Sequence, residues 1–325
     1  MRARSSAPYR FRLPLSVAAV AMIATTVAFA QDRGTLTPKT LPPLANPDDP
    51  TVPAKELFGR RPTAASLQAR SIGFYAKGCL AGALAMPING KTWQVMRLSR
   101  NRNWGHPVLI GMLEDLSVKG AKVGWTGLLV GDISQARGGP MLTGHSSHQV
   151  GLDADVWLTP MPSRELTRKE REEMSATMVV ARDRKDVDSK VWTPAHAAIV
   201  KAAASDPRVE RIFVNAAIKK ALCRSTDTER TWLRKVRPMW GHDYHFHIRM
   251  GCPADSPTCR AQDPVPVGDG CGKDLDWWFR DAILNPKKAP PPKETDGKPK
   301  PKPKPKPQIT LRDLPDACRQ VLLAP

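Results

Sequence analysis

Beyond its first thirty residues the chain has no apolar run approaching the roughly 20 residues that a membrane-spanning helix needs, so the sequence predicts no stable membrane span. It has no Cys-x-x-Cys pair, which argues against a cysteine-held zinc site. It also has no Gly-x-Ser-x-Gly elbow and no lone activated cysteine, which argues against an acyl-enzyme hydrolase. Acidic residues are few, 31 against 50 Lys and Arg, and the formal charge is +19. So basic a chain expects an anionic partner.

The first thirty residues have the layout of an export signal. Arg2, Arg4, Arg10 and Arg12 precede an apolar run from about Leu13 to Val27, and Ala28-Phe29-Ala30 fits a small-x-small cleavage site. The expectation is cleavage after Ala30 and release into the periplasm. Export argues against nucleic acid as the anionic partner and points to an acidic cell wall or membrane surface. The six cysteines (Cys79, Cys223, Cys252, Cys259, Cys271 and Cys318) all lie beyond the leader. An even number in an exported chain suggests three disulfides, with fifteen pairings open.

Composition divides the remainder. Residues 31–64 are rich in Pro, Thr and Asp without periodicity and read as an extended N-terminal segment. Residues 65–284 have the composition of one folded domain, large enough to bury a core. Residues 285–308 carry Lys-Pro repeats and read as a solvated, polyproline-like tether, either an inert spacer or a wall-binding element. Residues 309–325 hold Cys318 and should return to the domain through a disulfide.

Within the domain, Val123 to Asp132 reads as a strand ending in a turn, followed by a Gly-rich loop, Gln135 to Pro140. From Leu152 to Leu158 the pattern alternates: Leu152, Ala154 and Val156 on one face, Asp153, Asp155 and Trp157 on the other, as in a half-buried strand. Thr167 and Glu170 form a capping box opening a helix to about Val180. Thr193-Pro194 starts an Ala-rich helix over 194–204, and Val209 to Val214 reads as a strand. Tyr244 to Met250 alternates again, with His245, His247 and Arg249 opposite Tyr244, Phe246, Ile248 and Met250. Short strands with interspersed helices predict an α+β domain around a central antiparallel sheet with flanking helices.

Five of the seven histidines fall in two clusters, one from Gly144 to Asp155 and one from Gly241 to His247. Two residues along a strand return a side chain to the same face about 7 Å further on, so His245 and His247 suit one metal ligand and one neighbouring base or oxyanion partner. His148 and Asp155 can reach the same ion if their strand lies beside the His-x-His strand. Two imidazoles and one carboxylate leave zinc a free position for water, whose pKa can fall from 15.7 to about 7. His106 and His196 stand alone and read as structural histidines. The nine Trp could stack on sugars, although most should be core residues.

The segments Arg137–Pro140, His145–Asp155 and Trp240–His247 together resemble the penicillin-insensitive murein endopeptidases. These are periplasmic zinc enzymes of the superfamily that includes lysostaphin, D-Ala-D-Ala carboxypeptidases and hedgehog signalling domains. The resemblance covers about Cys79 to Trp278 and extends towards Cys318. It implies a hedgehog/DD-peptidase-like fold, with His148, Asp155 and His247 as zinc ligands and His245 as the catalytic or transition-state-stabilising histidine. His145 and His242 would line the site. Asp153 would too, at a position commonly Ala in the wider superfamily. It also implies the bridges Cys79–Cys318, Cys223–Cys271 and Cys252–Cys259. The implied activity is hydrolysis of D-alanyl–meso-diaminopimelyl cross-links in peptidoglycan, without an acyl-enzyme for penicillin to trap. The alternatives are a carboxypeptidase trimming terminal D-alanine from uncross-linked stems and a non-catalytic wall-binding protein.

Overall fold

The computed structural model describes residues 33–226, 228–286 and 307–325. The expected leader (1–30) and most of the Lys-Pro tether therefore lie outside the described residues. Among the described residues no helix is long and apolar enough to cross a membrane.

The chain begins with α1 (Ala54–Phe58), β1 (Arg70–Phe74), β2 (Lys77–Ala81), β3 (Leu84–Ala85), β4 (Asn89–Gly90), β5 (Trp93–Val95) and β6 (Trp104–Gly105). There follow α2 (Pro107–Lys122), β7 (Leu128–Val130), β8 (Asp153–Trp157), α3 (Arg168–Glu173), α4 (Pro194–Ala204) and β9 (Val209–Val214). The last elements are α5 (Ala216–Arg224), β10 (Val236–Pro238), β11 (His245–Met250), α6 (Lys273–Trp277), α7 (Asp281–Leu284) and α8 (Ala317–Leu323).

The principal sheet has seven strands in the order β10-β9-β11-β8-β7-β5-β4. Its centre is antiparallel as expected, with β11 between β8 and β9. Towards its edges it is mixed, because β10 runs parallel to β9 and β5 parallel to β7. Parallel neighbours require a crossover, and the chain supplies α5 between β9 and β10 and α2 between β5 and β7.

One face of the sheet presents Ala154, Val156, Ile212, Val214, Phe246 and Ile248 to α2 and α4, which contribute Leu109, Leu113, Leu116, Ile199, Val200 and Ala203 to the same core. Every residue of β8 is buried, so the strand is covered on both sides and not half-exposed. Next to the polar side chains of its second face, Trp157 packs in a smaller cluster with Met96, Leu129, Met161, Leu166 and Ala176.

Helix α4 and strand β9 have the bounds read from the sequence. The capping box at Thr167 is present, but α3 stops at Glu173, well short of Val180. Residues 123–127 are not strand: Val123 caps α2, and Gly124 takes a positive φ of 95°. Helix α2 itself has no counterpart in the sequence reading. Its cap is His106, whose Nδ1 accepts from the Val108 N–H at 3.3 Å, in place of the usual Ser, Thr, Asp or Asn.

A satellite core joins the ends of the chain, with Leu57 and Phe58 of α1, Ile72 of β1, and Val321 and Leu322 of α8. The bridge Cys79–Cys318 crosses it, and Cys223–Cys271 and Cys252–Cys259 complete three disulfides paired as the resemblance implies. Arg137 Nη1 donates to the carbonyls of Val321 (2.9 Å) and Leu322 (3.0 Å), tying α8 to the Gly-rich loop. That loop needs its glycines. At Gly138 (φ 62°) a Cβ would come 2.1 Å from the Gln149 carbonyl oxygen, and at Gly139 (φ 75°) 2.4 Å from the Phe58 ring.

Candidate metal centre

Pairing of β8 with β11 assembles the site. Asp155 lies opposite His247 and Asp153 opposite Arg249, so the alternating polar positions of the two strands share one face. The loop before β8 adds His145 and His148, and the turn before β11 adds His242. His148 is fully buried with φ 65°, a left-handed conformation uncommon outside glycine. Its N–H donates to Asp153 Oδ2 at 3.0 Å, which holds the turn.

Asp155 is the focus. His247 Nδ1, His148 Nε2 and His245 Nε2 lie 3.5, 3.6 and 3.7 Å from its Oδ1. His145 Nε2 is 3.5 Å from its Oδ2. These separations exceed hydrogen-bond lengths but match the span between neighbouring ligands that each stand about 2.0–2.2 Å from a tetrahedral ion. Asp155 Oδ1 and His148 Nε2 are buried without a hydrogen-bond partner, as is His245 Nδ1. Buried polar atoms are ordinarily satisfied, and these two orphans facing each other across 3.6 Å are spaced to take an ion between them. Ligand atoms of His145, His148 and Asp155 lie within 4.8 Å of one another, a spacing that also fits a metal ion.

The surroundings set which nitrogen each imidazole offers. His148 Nδ1 lies 2.6 Å from the Ile133 carbonyl, so its Nε2 is turned to the site. His247 Nε2 lies 2.8 Å from Asp153 Oδ1, so its Nδ1 is turned to the site. Outer hydrogen bonds of this kind fix the tautomer and orientation of metal-binding histidines. Asp153 also accepts from Arg249 Nε at 2.7 Å, and the Arg249 guanidinium sits 4.2 Å over the Tyr75 ring. His145 Nε2 is engaged differently, 3.0 Å from Asp132 Oδ2, and that same oxygen accepts from Arg100 (2.9 Å) and Arg102 (2.8 Å).

Electrostatics follow from burial and these partners. Burial raises the Asp153 carboxyl, but Arg249 and His247 outweigh it and hold it well below the carboxylate range. Asp155 is likewise held far down, its burial outweighed by His245, His145 and His148. Burial pushes His245 down to about 3 and His247 down to about 4, leaving both imidazoles neutral in the absence of a metal. Burial lowers His148 too, but Asp155 and Asp153 outweigh it and raise it.

All five clustered histidines with Asp153 and Asp155 are therefore brought together, and the His242 ring lies, tilted, 4.8 Å from that of His245 and 6.0 Å from that of His247. His106 and His196 stay outside: the first caps α2, and the second is buried with Nε2 3.1 Å from the Leu158 carbonyl. The sequence reading misses Asp132 and its arginines. The only cue was an acid closing the apolar run before the Gly-rich loop, a weak signal that gave no hint of Arg100 or Arg102.

A buried histidine–carboxylate cradle of this kind, with the partly exposed histidines His145, His242 and His245 at its mouth, fits a metal ion of the kind that hydrolases use. Residues 71–323 match the family of penicillin-insensitive murein endopeptidases, and the chain belongs to that family. It is similar to the penicillin-insensitive murein endopeptidase of Haemophilus influenzae, 46% identical over 229 residues that cover 69% of this chain and 80% of the relative. The proteins of that name from Yersinia enterocolitica (43% identical, 71% and 84% covered) and Escherichia coli K12 (43% identical, 69% and 83% covered) are comparably close.

Proposed function

We propose that the chain is a zinc endopeptidase that hydrolyses D-alanyl–meso-diaminopimelyl peptide cross-links of peptidoglycan. The observation that carries the reading is the convergence of three imidazole nitrogens on the buried, unpartnered Asp155 Oδ1 in a member of a murein endopeptidase family. His148 through Nε2, His247 through Nδ1 and Asp155 would hold the metal. His145 is the weaker fourth candidate because its Nε2 is already engaged by Asp132.

The chemistry supplied by a zinc ion there is Lewis acidity, towards both a water molecule and the scissile carbonyl. His245, beside Asp155 with a buried Nδ1 lacking a partner, is placed to stabilise the developing oxyanion or carry a proton to the leaving amine. Asp153 fixes His247 and the His148 turn at once. His145 and His242 line the approach. None of these roles needs a serine or an acyl-enzyme, which accords with the penicillin insensitivity in the family's name.

The three disulfides suit an oxidising compartment, and murein lies outside the cytoplasmic membrane, so we assign the protein to the periplasm after removal of residues 1–30. We propose a peptidase domain over 65–284 and a disulfide-held C-terminal segment over 309–325.

The test is incubation of the mature protein with a purified cross-linked muropeptide dimer, with and without chelator, read by mass spectrometry. Conversion to monomers that stops with chelator and returns with zinc is expected. Release of free D-alanine from monomeric pentapeptide with dimers untouched would instead make the protein a carboxypeptidase.

A further inference from the structure

Three tryptophans close to the metal centre take no part in it. Trp240 is 55% exposed and Trp277 is 39% exposed, among the largest apolar side chains that the described residues show to solvent. Trp278 lies between them, 4.9 Å from the Trp240 ring and 5.3 Å from that of Trp277. The group is continuous with the site. His242 Nδ1 lies 2.8 Å from the Trp240 carbonyl, and the His242 ring lies 4.8 Å from that of His245. Gly241 (φ 68°) and His242 (φ 58°) turn the backbone in the left-handed region directly after Trp240.

The segment bearing Trp277 and Trp278 is short, yet it is braced from several sides. Cys271, just before α6, is bonded to Cys223 of α5. Asp269 pairs with Arg230 at 2.8 Å and accepts from the Cys271 N–H at 2.9 Å. Lys219, with no exposed surface, donates its Nζ to the Asp269 carbonyl at 2.5 Å. Lys220 Nζ lies 5.1 Å over the Phe279 ring. A disulfide and a buried lysine thus anchor the residues just before α6, the helix that leads to Trp277 and Trp278. Preorganised exposed aromatics mark a binding surface more than a core, and indoles offer a flat apolar face with a polar edge.

We infer that Trp240, Trp277 and Trp278 form a carbohydrate subsite that takes the amino-sugar strand to which the scissile peptide is attached. The inference rests on the murein reading of the site beside it. Every stem peptide in murein is joined to a glycan strand, so a peptide whose cross-link reaches the metal brings a sugar strand near the mouth. Pyranose rings present an apolar C–H face that packs on indole faces.

The experiment compares kcat/KM on a cross-linked dimer bearing its disaccharides and on the same dimer freed of sugar. For Trp277→Ala and for Trp240→Ala/Trp277→Ala, the ratio of the two values falls about fivefold or more, the loss of one or two ring stacks. Trp277→Phe, which retains a ring, keeps the ratio within about twofold of the parent. In parallel, His247→Ala protein is titrated by calorimetry with murein glycan strands stripped of peptide. Binding is expected, weakened about fivefold or more when both tryptophans are also replaced. Equal losses on the two dimers, or glycan binding indifferent to the tryptophans, overturns the subsite. If the parent cleaves neither dimer, it is the peptidase reading that fails, and the glycan titration alone decides the subsite.

Discussion

Asp153 Oδ1 and His247 Nε2 lie 2.8 Å apart across β8 and β11, and Asp153 Oδ2 accepts from the His148 N–H at 3.0 Å. One buried carboxylate therefore orients two of the proposed metal ligands while its own charge is balanced by Arg249. Asp153→Asn keeps the shape but loses the charge that polarises His247. The expected result is metal affinity lowered about 10–100-fold, the usual effect of losing such a partner, measured by competition with a chromogenic chelator. Unchanged affinity would remove Asp153 from the metal site's support.

That relationship was half legible in the sequence. Alternation alone places Asp153 with Asp155 on one face, and His245 with His247 and Arg249 on another. It cannot give the register that sets Asp155 opposite His247 and Asp153 opposite Arg249, because pairing across ninety residues leaves no local trace. Strand β9 and helix α4 were legible because Val209, Ile212, Phe213 and Val214 give the first a strand composition, and Thr193-Pro194 and Asp206-Pro207 bracket the second. Helix α2 was not, since its cap is a histidine and its apolar residues merge with those after it. The mixed sheet edges were hidden with it, because α2 is the crossover that makes β5 and β7 parallel. Asp132 was out of reach for another reason: its partners Arg100 and Arg102 meet it only through the fold.

Metal removal should weaken the protein without unfolding it. The core over α2, α4 and the sheet does not depend on the cradle, and three disulfides remain. Zinc at 100 times its Kd should add about 2.7 kcal/mol over the chelated form, seen as a rise of a few degrees in Tm. His247→Ala should bind no zinc at that concentration and show no such rise, with its circular dichroism spectrum intact. A full zinc-dependent rise in His247→Ala would overturn the ligand assignment.

The bridge Cys79–Cys318 spans 239 residues and joins β2 to α8. Cross-links closing long loops constrain the unfolded chain most, and removal of such a native bridge costs about 2–5 kcal/mol. Replacing both cysteines by serine should lower stability by that order and expose α8 first, since only non-covalent anchors such as Arg137, the Arg319–Asp48 pair and the satellite core would then hold it. Hydrogen exchange reads this directly. Protection in α8 that still matches the central sheet after the double replacement would contradict it.

Lys219 gives the fold a defined response to alkali. It has no exposed surface, and its Nζ donates to the carbonyls of Leu233 (2.7 Å) and Asp269 (2.5 Å). Burial, reinforced by Arg237, pushes its pKa down to about 7, against about 10.4 in an unfolded chain. Between those values the unfolded chain binds a proton that the folded one lacks, so this group makes stability rise with pH across the window. Below about pH 7 both forms are protonated and the penalty is constant. The full shift corresponds to at most about 5 kcal/mol, and structural relaxation will reduce it. Chelator-treated wild type and Lys219→Met, compared by urea unfolding from pH 7 to 10, should therefore differ by an amount that moves in favour of wild type by about 2 kcal/mol or more. A difference that stays flat across that range would mean Lys219 titrates as an ordinary lysine, its ammonium kept charged by the two carbonyls it bonds.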